Sequence, residues 1–154
     1  MQTREIKWNM VSEIELVYRS KIKASQRPTL STPKDVFEFL LHHWNQDNIE
    51  LVETAKAIFL SNACKVLGLL DISTGGTTST IIDPKVVFLP ALKLNASFII
   101  LAHNHPSGKV KPSSNDLSLT EKMCKAGTVL DIKIMDHIII SKENYFSFAD
   151  EGII

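Results

Sequence analysis

His103 and His105 lie one residue apart at the end of the apolar run Ser97-Phe98-Ile99-Ile100-Leu101-Ala102. An extended strand alternates its side chains, so histidines at i and i+2 project to one face and form a chelating pair. Two imidazoles and a carboxylate make the donor set of a catalytic zinc, with water in the fourth position. The carboxylate that follows is Asp116. Each piece also has a plain structural reading. A histidine at a strand end is usually a hydrogen-bonded polar residue, and Ser113-x-x-Asp116 before an apolar stretch is a capping box. The conjunction favours metal chemistry: a buried strand's exit, Pro106 and Pro112 stiffening the connection, Gly108 freeing it, and an acid on the next helix's first turn.

The elements that must hold these residues can be read on either side. Ile14-Glu15-Leu16-Val17-Tyr18 alternates like a strand, and Lys23 to Pro28 reads as a loop. Ser31 or Thr32 before Pro33 starts a helix carrying Val36, Phe37, Leu40, Leu41 and Trp44, with His42 and His43 towards solvent. Two strands are expected over 54–60 and 65–73, joined in a hairpin by a turn at 61–64, and 73–79 reads as a loop without the lysine of a phosphate-binding loop. Asp83-Pro84 opens a helix that is apolar nearly all round through Val86, Phe88, Leu89, Leu92 and Leu94, so it should be buried. Pro90 should kink it or end it early. Ser113 starts a further helix with Leu119, Met123 and Ala126 on one stripe, closing at Gly127. Residues 131–140 and 145–148 read as a final hairpin. Interleaved strands and helices with hairpins at both ends imply an α/β (mixed α+β) fold, a mixed sheet with helices on its faces.

Composition bounds the function. The 154 residues fit one domain without a repeat, and 17 acidic residues balance 17 basic ones, so no global field draws in phosphate backbones. The apolar runs fall short of a membrane span and the first residues begin no signal peptide, which places the protein in the cytoplasm. Cys64 and Cys124, without a CxxC pair, are expected to be free and partly buried thiols.

The run His103-x-His105-Pro106 followed by Pro112-Ser113-x-x-Asp116 resembles the JAMM signature of JAB/MPN metalloprotease-like domains. Ile99-Leu-Ala-His-Asn-His-Pro-Ser-Gly108 is similar to the RadC branch of that family. Similarity extends to Phe59-Leu60, Lys65-Val66-Leu67-Gly68, Asn95-Ala96-Ser97, Leu130-Asp131-Ile132-Lys133, Asp136-His137 and the closing Phe146 to Gly152. It implies a JAB/MPN, cytidine-deaminase-like architecture over 31–154, preceded by a strand-containing extension over 1–30. It also implies one zinc ion per chain on His103, His105 and Asp116, with Ser113 supporting the water and the oxyanion. The family's upstream glutamate falls on Glu53, with Glu50 as the competitor. Asp136 and His137 would pack or orient near the site without ligating, and Ser107, Gly108 and Lys109 either line an entrance or form a plain loop.

The implied reaction is hydrolysis of a peptide, isopeptide or other amide bond in a peptide or protein substrate. A non-enzymatic scaffold and a DNA-repair-associated accessory are the alternatives. Residues 1–30 show no likeness to the helix-hairpin-helix segment of longer RadC-like proteins, and the balanced charge does not favour nucleic acid. A nucleobase deaminase would need His-x-Glu and Pro-Cys-x-x-Cys, and neither motif occurs.

Overall fold

The structure, a computed structural model of the chain, describes residues 8–74 and 82–154. Its elements run α1 (Pro33–His43), β1 (Thr54–Leu60), β2 (Val66–Thr74), α2 (Pro84–Lys93), β3 (Phe98–Asn104), α3 (Ser114–Val129), β4 (Lys133–Ile140) and β5 (Tyr145–Ser147). The strands form one sheet in the order β2-β1-β3-β4-β5. All neighbours pair antiparallel except β3 and β4, which are parallel and joined through α3. This is the mixed α/β sheet expected from the element order, with a hairpin on each side.

Period-two burial sorts the strands onto two cores. Ala55, Ala57, Phe59, Ile99 and Leu101 pack with Val87, Phe88 and Ala91 of α2 and Met123 of α3. Ile58, Leu60, Ile100, Ala102, Ile138 and Ile140 pack with Val36, Leu40 and Trp44 on the opposite face. Side chains of this size contribute roughly 1.5–3 kcal/mol each when fully buried. Both faces of β1 and β3 are therefore covered, as for the inner strands of a three-layer fold.

Helix starts follow their caps. Thr32 and Asp35 form a reciprocal capping box at α1, and Asp83 accepts the Lys85 N–H at α2. His42 and His43 are exposed, as expected. The hairpin turn closes through Cys64 N–H to the Ser61 carbonyl, with Cys64 at φ 56°. Cys64 and Cys124 are both free and half-buried.

Three expectations are corrected. Residues 14–18 form no strand: Ile14 and Leu16 are exposed, and Tyr18 is tied to the sheet through its hydroxyl on the Leu67 carbonyl at 2.8 Å. Alternation is only a pattern, and a strand needs a ladder partner. α2 is not buried all round, since Leu89 is 72% and Leu92 53% exposed. A helix lying on a sheet can cover only the stripe that faces it. Of the two outcomes open to Pro90, a kink or an early end, the early end does not occur: α2 continues to Lys93 and closes with Asn95 at φ 51° and Ala96 N–H on the Ala91 carbonyl. α3 passes through Gly127 to Val129; the left-handed residue that closes it is Asp131, at φ 55°. Gly127 is small for another reason: a Cβ there would stand 2.2 Å from the Ile132 carbonyl oxygen. The expected loop at 73–79 falls mostly outside the described residues, although Ser73 and Thr74 belong to β2. No helix among the described residues is long and apolar enough to cross a membrane.

Candidate metal centre

β3 carries His103 and ends at Asn104, with His105 immediately beyond it, and both histidines lie on the face covered by α3. His103 is 2% exposed, and the side chain of His105 only 18%. α3 begins directly above them, and its cap fixes the acid. The Ser113 hydroxyl accepts the Asp116 N–H at 3.2 Å, while Asp116 Oδ2 accepts the Ser113 N–H and O–H, each at 2.7 Å. The capping-box reading of Ser113 and Asp116 is thus correct, and the same geometry turns the carboxylate towards the histidines.

His103 Nε2 lies 3.1 Å from His105 Nε2 and 3.2 Å from Asp116 Oδ1, and His105 Nε2 lies 3.7 Å from Asp116 Oδ2. Donors about 2.0–2.1 Å from one tetrahedral zinc stand roughly 3.3 Å apart, so these spacings fit a single ion. Among the described residues this is the one group of three His, Cys, Asp or Glu side chains arranged to hold a metal. Two imidazole nitrogens and a carboxylate oxygen are also the donor types that suit zinc.

The tautomer of His105 follows from its other nitrogen. His105 Nδ1 lies 2.8 Å from the Lys109 carbonyl oxygen, which can only accept. Nδ1 therefore carries the proton, and Nε2 presents a lone pair to the centre. Gly108 at φ 79° lets the loop turn back so that this carbonyl reaches the ring. The 107–109 loop thus orients His105. A backbone carbonyl has no signature in sequence, and the glycine was its only trace.

Asp116 is subject to opposing influences. Burial works to raise its carboxyl, but the His103 contact and the Ser113 hydrogen bonds more than reverse this and hold it well below the usual carboxylate range. The electropositive start of α3 acts in the same sense.

Glu53 is nearly buried at 9% exposure and precedes β1. Ala55 pairs with His103 at the end of the antiparallel β1–β3 ladder, and Glu53 lies two residues beyond that pair, at the end of the sheet where His105 leaves β3. Glu50 is exposed and paired with Lys142 at 2.9 Å. The approach to Glu53 is fixed by Asn104, whose position between the histidines gave no hint of a role. Its side chain is fully buried; Oδ1 accepts the Thr54 N–H at 2.7 Å, and Nδ2 donates to the Ile49 and Val52 carbonyls at 2.6 and 2.9 Å.

Asp136 and His137, adjacent in sequence, part company in space. Asp136 pairs with Ile100, facing α1, and accepts the Ser147 hydroxyl at 2.6 Å and the Ala149 N–H at 3.0 Å. Burial pushes its carboxyl up, against those hydrogen bonds. His137 lies on the site's face and reaches His103 Nδ1 at 2.8 Å. A groove of about 940 Å³ along α3 and β4 lies off to one side; Thr120 and Leu117 line it, but none of the three donors does.

The family model described as "RadC-like JAB domain" matches residues 30–153. A UPF0758 protein of Flavobacterium johnsoniae is 47% identical over 96 residues, covering 62% of this chain and 42% of its own length. One from Aquifex aeolicus is 34% identical over 141 residues, covering 92% of this chain and 59% of its own length. One from Thermotoga maritima is 40% identical over 100 residues, covering 65% of this chain and 45% of its own length. The chain spans about half the length of these relatives.

Proposed function

The chain belongs to the RadC-like JAB domain family, and on that premise we propose that it is a zinc-dependent hydrolase of peptide, isopeptide or other amide bonds, acting in the cytoplasm. The observation that carries this reading is the convergence of His103 Nε2, His105 Nε2 and the Asp116 carboxylate at spacings suited to one ion. Those three residues would hold the metal. A bound zinc lowers the pKa of water to roughly 7 and polarises a carbonyl as a Lewis acid.

The chain's own groups account for the rest. Glu53, nearly buried and two residues before the Ala55–His103 pair, would take the proton of the attacking water and return it to the departing amine as the C–N bond breaks. Ser113, whose hydroxyl donates to Asp116 Oδ2 in the metal-free chain, would turn that donation to the carbonyl oxygen as negative charge develops there, a contribution often worth about 3 kcal/mol per donor. The start of α3 favours that charge through its free amide groups. Products are a carboxylic acid and an amine, with one water consumed. The substrate would be a peptide or protein.

Metal analysis with a fluorogenic peptide and isopeptide panel tests this. One zinc per chain, kept by Glu53→Gln while cleavage is lost, is the expected result. A chain that takes up no zinc, or a Glu53→Gln variant as active as the parent, would overturn it. A zinc-loaded parent inert on every amide bond offered would favour a scaffold.

A further inference from the structure

Behind His103 lies a buried hydrogen-bond chain that runs through His137, which the sequence places near the site only as a packing or orienting residue. His103 Nδ1 meets His137 Nε2 at 2.8 Å, and His137 Nδ1 meets Thr120 Oγ1 at 2.6 Å. The Thr120 hydroxyl lies 2.7 Å from the Asp116 backbone carbonyl. His137 and Thr120 are 0% and 1% exposed, so water does not substitute for any member. Phe148 stacks on the His137 ring at 4.6 Å and 16°, which fixes its plane.

The protons in this chain can be assigned from its far end. A carbonyl oxygen only accepts, so the 2.7 Å contact commits the single Thr120 hydroxyl proton to Asp116. Thr120 Oγ1 can then only accept from His137, which places the His137 proton on Nδ1 and leaves Nε2 as an acceptor. His103 must in turn donate through Nδ1. With a single proton on the ring, its Nε2, facing His105 and Asp116, is left with a lone pair; a second proton there would be shared with Asp116 Oδ1 at 3.2 Å and is the one a metal displaces.

We infer that Thr120 and His137 are positioning residues which, through this chain, fix His103 in the tautomer able to ligate a metal. The inference rests on the metal-centre reading above. It also joins both ends of the chain to one residue: Asp116 anchors the last acceptor with its backbone and offers its side chain as the third donor. His105 reaches the same tautomer by a separate route, through Lys109. Fixing the ring orientation and proton of a ligating histidine through its second nitrogen is worth typically 10–100-fold in metal affinity.

The test combines ring ¹⁵N–¹H spectra of histidine-labelled protein with zinc titration. In the metal-free parent, His137 is expected as the Nδ1–H tautomer, with His103 protonated at Nδ1. Thr120→Val removes the acceptor, so His137 should shift its proton to Nε2, and zinc affinity should fall about 10-fold or more. Thr120→Ser restores the hydroxyl and should restore both the spectrum and the affinity. A His137 protonated at Nε2 in the parent would overturn the inference even if Thr120→Val failed to fold. So would a folded Thr120→Val with unchanged tautomer and zinc affinity. A parent that shows the assigned protons but takes up no zinc would sink the metalloenzyme reading while leaving the proton assignment in place, so the two failures are distinguishable.

Discussion

Asn104 Oδ1 accepts the Thr54 backbone N–H at 2.7 Å, so the strand that carries His103 and leads into His105 is tied to the residue next to Glu53. Asn104→Ala would strand that N–H and the Ile49 and Val52 carbonyls without their buried partner. Unpaired buried groups cost about 1–3 kcal/mol each, with partial relief by relaxation, so a loss of about 3 kcal/mol is expected in urea unfolding. Hydrolytic rate should fall with zinc stoichiometry unchanged, because the ligands are not touched.

Zinc should stabilise the folded chain. At 100 times its dissociation constant, a ligand that binds only the native state adds about 2.7 kcal/mol, roughly 5–10 °C in Tm for a chain of this size. Asp116→Ala should abolish that rise in calorimetry and lower the zinc-free baseline by about 1 kcal/mol through loss of its capping contacts. An undiminished zinc-dependent rise in the variant would contradict the assignment of Asp116.

The metal-free chain should weaken in mild acid. Burial lowers the His137 pKa well below its ordinary value, with the neighbouring His103 adding to the effect. Between the unfolded value of about 6.5 and the depressed native value, the unfolded chain binds the extra proton, so stability falls with pH by up to about 1.4 kcal/mol per unit. Asp116, held low, acts in a separate window; its contribution is present above about pH 3.9 and lost only as pH falls below that. Urea midpoints at pH 7.5, 6.5 and 5.5 should decline in the parent and decline less steeply in His137→Gln.

Two substitutions at the end of α3 should act with opposite signs. Gly127→Ala gains about 1 kcal/mol of helix propensity, but its Cβ would meet the Ile132 carbonyl oxygen at 2.2 Å. Overpacking of this kind costs about 1–3 kcal/mol, and here the obstacle is backbone, so net destabilisation is expected. Asp131→Gly relieves a left-handed residue at φ 55° and should stabilise by up to about 1 kcal/mol. Thermal melts of both variants check the pair.

What the residues declared in advance was whatever is settled locally. Thr32, Asp83 and Ser113 announce their helices because a cap acts over three or four residues, and His-x-His announces a shared face because alternation is a property of one strand. The misreadings all depend on something distant in the chain. Residues 14–18 alternate but lack a ladder, Leu89 and Leu92 look like core until the sheet takes only one side of α2, and Gly127 resembles a terminator because the returning Ile132 cannot be foreseen. At the site, the grouping of His103, His105 and Asp116 and the nearness of His137 could be read, and the remaining supports could not. The Lys109 carbonyl is backbone, Asn104 works across to the 49–54 segment, and Thr120 meets His137 only after α3 has crossed the sheet.

The box formed by Ser113 and Asp116 makes one acid answerable to two masters. Removing this carboxylate would leave the Ser113 hydroxyl on the residue-116 N–H but take away the reciprocal half of the box, so the sixteen-residue helix would begin less firmly wherever the acid is absent.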